Sequence, residues 1–210
     1  MLTTVFPGDP LEQGKSLVHI LNTYNLQSSD ITTGGTDKHT GHSYTGVYEH
    51  IFAPHRIKCF NLLELGVLYG GSSLLWQKYF PCVHICAVDN NNILKPVNQQ
   101  RLDPARFDFN LLDAYSQDTI NILYDKHPER YSIIIDDAHH TEESQTYVLE
   151  NYPKLLTPHG ILIIEDVPGL ETLLRLHDRA KTLYRTASVH AYDLNLLRGN
   201  SDDYMLVVQF

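Results

Sequence analysis

Two short apolar runs, each ending in a pair of acids, constrain the fold of this chain more than any other feature. The runs span residues 133–137 and 160–166. Continuous β-branched runs of this kind are typical of parallel strands that are buried on both faces. If the two strands are neighbours, their acids meet at the carboxyl edge of the sheet, where open α/β sheets bind ligands. Carboxylates this close repel one another, and a hard divalent cation with oxygen ligands is the simplest compensation. The four acids are Asp136, Asp137, Glu165 and Asp166.

The size and composition favour one globular α/β domain. The chain has 210 residues, of which 42% are hydrophobic and 20% are charged, which is enough for a sizeable core. No apolar stretch approaches the roughly 20 residues that span a bilayer. Residues 1–7 lack the basic start and long apolar core of a signal peptide. We therefore expect a cytoplasmic protein with no membrane partner.

The net charge and the cysteine spacing argue against a nucleic-acid interface and against a zinc site. The formal net charge of -9 argues against nucleic acid as a partner, because binding its backbone requires clustered Lys and Arg. The spacing of Cys59, Cys82 and Cys86 matches no common zinc motif. Cys86 falls inside an apolar run that predicts a buried strand. We expect three reduced structural thiols, as is usual in the cytosol.

From residue 59 onward, predicted strands and helices alternate, which indicates a parallel sheet with right-handed crossovers. Only a loop over residues 196–202 separates the last two strands, so they are expected to form a hairpin with one antiparallel strand. The prediction is a seven-stranded, mostly parallel sheet with helices on both faces. The predicted strands are 59–65, 84–88, 107–110, 131–135, 160–164, 186–192 and 204–210, and the predicted helices are 71–80, 94–100, 117–124, 141–156 and 169–184.

Residues 1–58 are predicted to be an N-terminal helical and lid segment, and residues 59–210 the core, within a single domain overall. Asp9 and Pro10 are a favourable helix start, as N-cap and first helical residue, for a helix that runs to Tyr24. The polar stretch 27–46 predicts a loop, which we expect to become ordered over a bound ligand. A second helix is predicted over residues 44–52.

A glycine-containing turn follows the first core strand and opens a helix. Glycines let the backbone turn sharply and let a ligand approach the main chain, but the spacing is not that of a dinucleotide loop. The acid before the first glycine favours a ligand with an amino group or a positive charge, because a diphosphate would be repelled. The residues of this turn that we expect at a ligand are Glu64, Gly66, Gly70, Gly71 and Ser72.

Two further acids end the next two strands. A carboxylate at Asp89 can accept hydrogen bonds from both hydroxyls of a ribose, although a helix cap is the alternative role. Asp113 and Ala114 follow the third strand, where an adenine could rest, and a plain turn is the alternative there. Together with the glycine turn, these positions predict a nucleoside-binding site.

These residues resemble the class I S-adenosylmethionine-dependent methyltransferases. Within that group they are most similar to the metal-dependent macrolide-sugar O-methyltransferases of the macrocin and mycinamycin type. The resemblance covers roughly residues 35–170. It rests on Thr36–Lys38 with His42–Tyr44 and Tyr48–Glu49, on Glu64–Val67 with Gly70–Ser72 and Trp76, and on Asp136–His140 with Glu165–Asp166.

The resemblance implies a Rossmann-like fold and a site. S-adenosylmethionine would lie over the glycine turn, with its ribose on Asp89 and its adenine near Asp113 and Ala114. Mg²⁺ or another hard divalent cation, held by Asp137, Glu165 and Asp166, would bind the acceptor hydroxyl and lower its pKa. A histidine would then take the proton, since imidazole titrates near neutrality. We favour His140 over His139, and we place Asp136 and Tyr44 beside the cofactor.

Several alternatives stay open at this point. Asp136 could instead cap the following turn, and Tyr44 could be an ordinary aromatic at a helix start. The protein could be a nucleoside-binding module without catalysis, or a hydroxylase-like tailoring protein of similar fold. An RNA cap 2′-O-methyltransferase shares the fold but uses two lysines, and Lys154, between the fourth and fifth core strands, is late in a predicted helix. We expect a small hydroxylated acceptor and leave the oligomeric state open, a homo-oligomer included.

Overall fold

A twisted sheet with the strand order β1-β7-β8-β6-β5-β2-β3-β4 organises the molecule. The structure is a computed structural model that describes residues 1–6, 14–27 and 34–210. Strands β2 to β7 and β1 run parallel, and β8 is antiparallel to both of its neighbours. The strands of this sheet are β1 (Leu2–Thr4), β2 (Phe60–Leu65), β3 (Val83–Asp89), β4 (Phe107–Leu111), β5 (Tyr131–Asp136), β6 (Leu156–Ile164), β7 (Ser188–Asp193) and β8 (Tyr204–Gln209).

Helices cover both faces of the sheet and bury two hydrophobic clusters. The first cluster packs α1, α2 and α3 against one face, and the second packs α5, α6 and α7 against the other. In the part of the chain that the structure describes, no helix is long and apolar enough to cross a membrane. The helices are α1 (Lys15–Thr23), α2 (Thr45–Phe52), α3 (Gly71–Tyr79), α4 (Pro96–Gln99), α5 (Gln117–Lys126), α6 (Glu142–Asn151), α7 (Leu170–Leu183) and α8 (Asn195–Arg198).

The predicted mostly parallel sheet with one antiparallel strand from a C-terminal hairpin is confirmed, but the number of strands is wrong. The described residues form eight strands, not seven. The additional strand, β1, has three residues and lies at the edge of the sheet, parallel to β7. Such a short segment has too few residues to show an alternating or continuous apolar pattern, so the sequence gives no signal for it.

Several predicted boundaries also differ, among them the start of β6 at Leu156, four residues before the predicted start. Helix α6 ends at Asn151, five residues before the predicted end, because Pro153 cannot continue an α-helix, and a 3₁₀ turn follows at Pro153–Leu155. The connection between β7 and β8, predicted to be only a loop, contains the short helix α8. The proposed helix start at Asp9 and Pro10 lies outside the described residues, and α1 is described from Lys15 onward.

The prediction of three reduced thiols is wrong for two of them. Cys59 and Cys82 form a disulfide, with their Cα atoms 4.7 Å apart, whereas Cys86 is free and buried. The sheet register explains the pairing: Phe60 of β2 lies opposite Val83 of β3. Each cysteine immediately precedes one of these neighbouring residues, so both stand at the amino edge of adjacent parallel strands.

Candidate active site

A cavity of about 810 Å³ opens at the carboxyl edge of the sheet, above the ends of β2, β3 and β5. This is the edge at which open α/β sheets bind ligands, and it is opposite the disulfide. The cavity gathers most of the predicted site residues. Those that line it are Gly66, Gly71, Ser72, Asp89, Asp113, Ala114, Asp137, His139, His140 and Asp166. Those absent from its lining are Tyr44, Glu64, Gly70, Asp136 and Glu165.

At the glycine turn, main-chain atoms that no side chain covers form part of the cavity wall. Gly66 has φ +80°, and a Cβ atom there would lie 2.0 Å from the carbonyl oxygen of Asp137. A Cβ atom at Gly71 would lie 2.0 Å from the carbonyl oxygen of Gly35. No side chain can occupy either position without moving backbone, so both contacts require glycine. Gly70 also has positive φ, +84°, and precedes α3 as its N-cap residue.

Asp89 holds the glycine turn in place. Its Oδ2 atom accepts hydrogen bonds from the backbone N–H groups of Val67 and Leu68, both at 2.9 Å, and its Oδ1 atom accepts one from Asn91. A carboxylate has about four acceptor sites, so about one remains for a hydroxyl donor in the cavity. The position at the end of β3 suits a ribose.

Glu64 is buried behind the turn. Its carboxylate accepts a hydrogen bond from the Ser73 hydroxyl and one of 2.9 Å from the Trp76 indole N–H. Burial raises its pKa. These bonds tie β2 to α3, and through them Glu64 supports the turn from beneath.

The far end of the cavity contains Asp113, Ala114 and Tyr115. Asp113 Oδ1 accepts the Tyr115 N–H at 2.9 Å, and the Ala114 carbonyl accepts the Tyr152 hydroxyl at 2.5 Å. The Tyr115 hydroxyl accepts the N–H of His139 at 2.7 Å. The bond between Tyr115 and His139 joins the segment after β4 to the segment after β5. These two parts of the cavity wall are therefore held together.

Strand alternation separates the two acids at the end of β5. Successive side chains of a strand point to opposite faces. Asp136 follows the face of Ile134, in the second hydrophobic cluster, and is 2% exposed, with no hydrogen-bond partner for either carboxylate oxygen among the described residues. Burial, reinforced by the neighbouring Asp137 charge, raises its pKa well above the usual range. Asp137, by contrast, lies at the cavity.

Glu165 and Asp166, which follow β6, also differ in their surroundings. Glu165 lies on the first face, where Lys38 Nζ donates to both of its carboxylate oxygens at 2.8 and 2.7 Å and Tyr48 donates its hydroxyl to Oε1. Lys38 also donates to Asp137 Oδ2 at 2.7 Å. Although burial lowers the pKa of Lys38, the carboxylates of Asp137 and Glu165 raise it well above its usual value. The lysine is therefore charged.

Asp166 faces the cavity from a strained backbone, with φ +50°. Its Oδ1 atom accepts the Tyr44 hydroxyl, so Tyr44 reaches the acidic site and does not line the cavity itself. His42 stacks on the Tyr44 ring, and its Nδ1 atom lies 3.4 Å from Asp166 Oδ1 and 3.5 Å from Asp203 Oδ1. Burial lowers the pKa of His42, but Asp203 and Asp166 raise it to about 9.

His140 is the histidine that approaches the acids. Its Nε2 atom lies 3.6 Å from Asp166 Oδ2. Asp137, Asp166 and His140 each present a ligand atom within 4.8 Å of the others. The ring of His139 instead lies 6.2 Å from that of Tyr115, toward the opposite end of the cavity.

Sequence reasoning gave no role to Lys38, His42, Tyr48 or Asp203. Lys38, His42 and Tyr48 belong to a segment on which the family resemblance rests. That resemblance was the signal that could have identified them. Asp203 follows the predicted loop before β8 and is buried, where it accepts the N–H of Ser43 at 3.1 Å. Only the tertiary fold, which lays residues 34–45 across the carboxyl edge, brings these groups together.

The chain has the fold of the class I S-adenosylmethionine-dependent methyltransferases, and the resemblance seen in the sequence is confirmed by the comparisons that follow. No protein-family model matches the chain. It is 27% identical over 140 residues to the 8-demethyl-8-α-L-rhamnosyl tetracenomycin-C 2′-O-methyltransferase of Streptomyces olivaceus, covering 63% of this chain and 35% of that protein. The chain thus spans about a third of the length of this curated relative.

Solved structures show the same fold. The MycE methyltransferase from the mycinamycin biosynthetic pathway, solved in complex with Mg and SAH, superposes with a TM-score of 0.57 at 21% identity, covering 74% of this chain and 38% of that one. A caffeoyl-CoA O-methyltransferase homologue from Staphylococcus aureus superposes with a TM-score of 0.55 at 16% identity, covering 94% of this chain and 91% of that one.

Proposed function

We propose that the protein is an S-adenosylmethionine-dependent O-methyltransferase that acts, with a divalent cation, on a hydroxyl of a small molecule such as a sugar. The observation that carries the proposal is the joint lining of one cavity. The glycine turn and Asp89 line one part, and Asp137, Asp166 and His140 line another. A methyl donor and an acceptor hydroxyl must meet in one space, and this cavity supplies groups suited to each.

The donor end fits a nucleoside with a charged amino-acid tail. Asp89 has about one acceptor site left for a ribose hydroxyl, and Asp113, which lines the same cavity, is a carboxylate to which an exocyclic amine can donate. The backbone of Gly66 and Gly71 allows close approach of the ligand. The acidic surroundings favour the sulfonium and ammonium groups of S-adenosylmethionine over a phosphate.

The acceptor end fits a hard divalent cation. Asp137 and Asp166 line the cavity with side chains that are 22% and 12% exposed, and carboxylate oxygens are the ligands that Mg²⁺ prefers. When bound, such an ion lowers the pKa of a hydroxyl and fixes its orientation. MycE is a relative of known structure that contains Mg and SAH together, which supports the same pairing here.

The transfer then needs a proton acceptor. The methyl group passes from sulfur to the acceptor oxygen, so the carbon–sulfur bond breaks, a carbon–oxygen bond forms and the hydroxyl proton leaves. His140 is the group we assign to take that proton, because its side chain is 41% exposed and lines the cavity beside the acids. Asp166, 3.6 Å away, stabilises the imidazolium that results.

An RNA cap 2′-O-methyltransferase is the less supported alternative. The lysine that the fold brings to the site is Lys38, which is buried and pairs with two carboxylates. It therefore does not face an acceptor in the cavity. The net charge of -9 also disfavours a nucleic-acid substrate.

The test is a titration followed by an assay. Calorimetry should show binding of S-adenosylhomocysteine to the purified protein. Incubation with S-adenosylmethionine, Mg²⁺ and a panel of glycosides that includes L-rhamnosides should then yield a product heavier by one CH₂, with equimolar S-adenosylhomocysteine. A product that gains oxygen would indicate hydroxylation instead. Failure to bind S-adenosylhomocysteine with or without Mg²⁺ would refute the proposal.

A further inference from the structure

Lys38 is an internal cation at the acidic site. Its side chain is 1% exposed, and its ammonium donates to three carboxylate oxygens, two of Glu165 and one of Asp137, all within 2.7–2.8 Å. An ammonium has three donors, so Lys38 has none left for a ligand. Its hydrogen bonds are therefore all made to carboxylates of the protein itself.

Burial and three hydrogen bonds hold the Glu165 carboxylate in the interior. Both of its oxygens accept from Lys38, Oε1 also accepts from Tyr48, and its side chain is 1% exposed. Its main chain is fixed as well, because Gln145 Nε2 donates to its carbonyl oxygen at 2.8 Å. Glu165 is absent from the cavity lining, whereas Asp137 and Asp166 are part of it.

We infer that Lys38 keeps Glu165 out of the coordination sphere of the divalent ion, so that Asp137 and Asp166 are the carboxylates that hold it. This inference rests on the proposed function, since it concerns the ion invoked there. It departs from the prediction made from the resemblance, in which Glu165 is a third ligand.

The usual coordination of Mg²⁺ supports this division. Mg²⁺ is commonly held by one or two carboxylates and keeps several of its waters. Fewer protein ligands leave more positions for an acceptor oxygen. Lys38 is thus a positioning residue that assembles the acids before an ion arrives.

The test uses Mn²⁺ as a probe of the ion's coordination. Calorimetric titration with Mn²⁺ gives the affinity, and the relaxation of water protons reports the number of waters on the bound ion. The proteins compared are the wild type, Lys38→Met/Glu165→Gln and, as the matched loss of a ligand, Asp166→Asn. The paired variant removes both charges of the buried ion pair together, which avoids the unpaired buried charge that a single change would leave. Circular dichroism checks that each variant is folded.

The expected result is that the paired variant binds Mn²⁺ with the same water-proton relaxation as the wild type, whereas Asp166→Asn weakens binding by at least about tenfold. If the bound ion gains water in the paired variant, or if that variant no longer binds, Glu165 is a ligand and the inference is overturned. A wild type that binds no Mn²⁺ overturns it too, together with the metal part of the proposed function. Binding of S-adenosylhomocysteine tests the remainder of that function separately.

Discussion

At the scale of single residues, the acidic site depends on which acid of each pair reaches the cavity. At the end of β5, Asp137 lines the cavity and Asp136 is buried; after β6, Asp166 lines the cavity and Glu165 is buried. The sequence predicted that these acids would meet at one edge. It could not assign their partners, because Lys38 is about a hundred residues away from Asp137 and the pairing depends on how residues 34–45 cross the sheet.

The first prediction concerns Asp89. Asp89→Ala removes the acceptor of the Val67 and Leu68 N–H groups and the acceptor that we assign to the ribose. Hydrogen bonds to charged groups contribute about 1.5–3 kcal/mol each, so the affinity for S-adenosylhomocysteine should fall by at least about tenfold. Calorimetric titration measures this. Asp125→Ala, at an exposed acid of α5, is the matched control and should bind as the wild type does.

The second prediction separates the two histidines. His140→Gln should lower kcat by about a hundredfold to ten-thousandfold, the usual contribution of a general base, with little change in S-adenosylhomocysteine affinity. His139→Gln, its neighbour in the chain and also at the cavity, should have a much smaller effect. Initial rates at saturating substrate provide the measurement. A larger loss for His139→Gln would transfer the role of base to His139.

At the scale of elements, patterns that span a whole strand or helix were predictable and contacts between elements were not. Continuous apolar runs located β5 and β6, and alternation of strands and helices gave the parallel sheet. The three-residue strand β1 and the Cys59–Cys82 disulfide were missed. Both depend on which strands become neighbours, and that is decided by long-range packing.

The third prediction tests the close approach between the glycine turn and β5. Gly66 and Gly199 have almost the same backbone angle, φ +80° and +81°, but an added Cβ atom meets the Asp137 carbonyl at Gly66 and nothing within 4 Å at Gly199. Gly199→Ala should cost about 1–2 kcal/mol of unfolding free energy, from backbone angle alone. Gly66→Ala should cost about 1–3 kcal/mol more, from the clash. Equilibrium unfolding in urea measures both, and equal losses would exclude the clash.

The fourth prediction concerns the disulfide at the amino edge. It closes a loop with a sequence separation of 23 residues. In the chain-entropy description, a loop of this size stabilises the fold by about 3 kcal/mol. Cys59→Ser/Cys82→Ser should lower the unfolding free energy by about that amount and leave S-adenosylhomocysteine binding intact. Dithiothreitol should destabilise the wild type and have no effect on the double variant.

At the scale of the whole molecule, the stabilising disulfide and the candidate ligand site lie at opposite edges of one sheet. Helices on both faces bury the strands, the disulfide joins β2 and β3 at the amino edge, and the cavity occupies the carboxyl edge. Fold class and the edge that carries the site follow from the sequence, because they depend on strand order and local pattern. Which acids line the cavity and which are buried does not follow from the sequence, since that depends on side chains that only tertiary packing brings together.

The fifth prediction links binding to global stability. A ligand that binds only the native state adds about 2.7 kcal/mol to the unfolding free energy when its concentration is 100 times its Kd. S-adenosylhomocysteine should therefore raise the melting temperature of the wild type progressively with concentration. Asp89→Ala should show a smaller rise at each concentration. A concentration series in a thermal unfolding assay checks this, and an unchanged wild type would contradict it.

The contact between Gly66 and the Asp137 carbonyl bears on how the ligand selectivity of this protein could evolve. Substitutions do not remove backbone atoms. The ends of β2 and β5, where we propose that donor and acceptor bind, are therefore retained together as one rigid unit. New acceptors must then be accommodated by side chains of residues 34–45, which cross that unit, and of residues 194–203, which are hydrogen-bonded to them. A library that diversifies those two segments, with the strand ends left constant, is the economical route to altered selectivity.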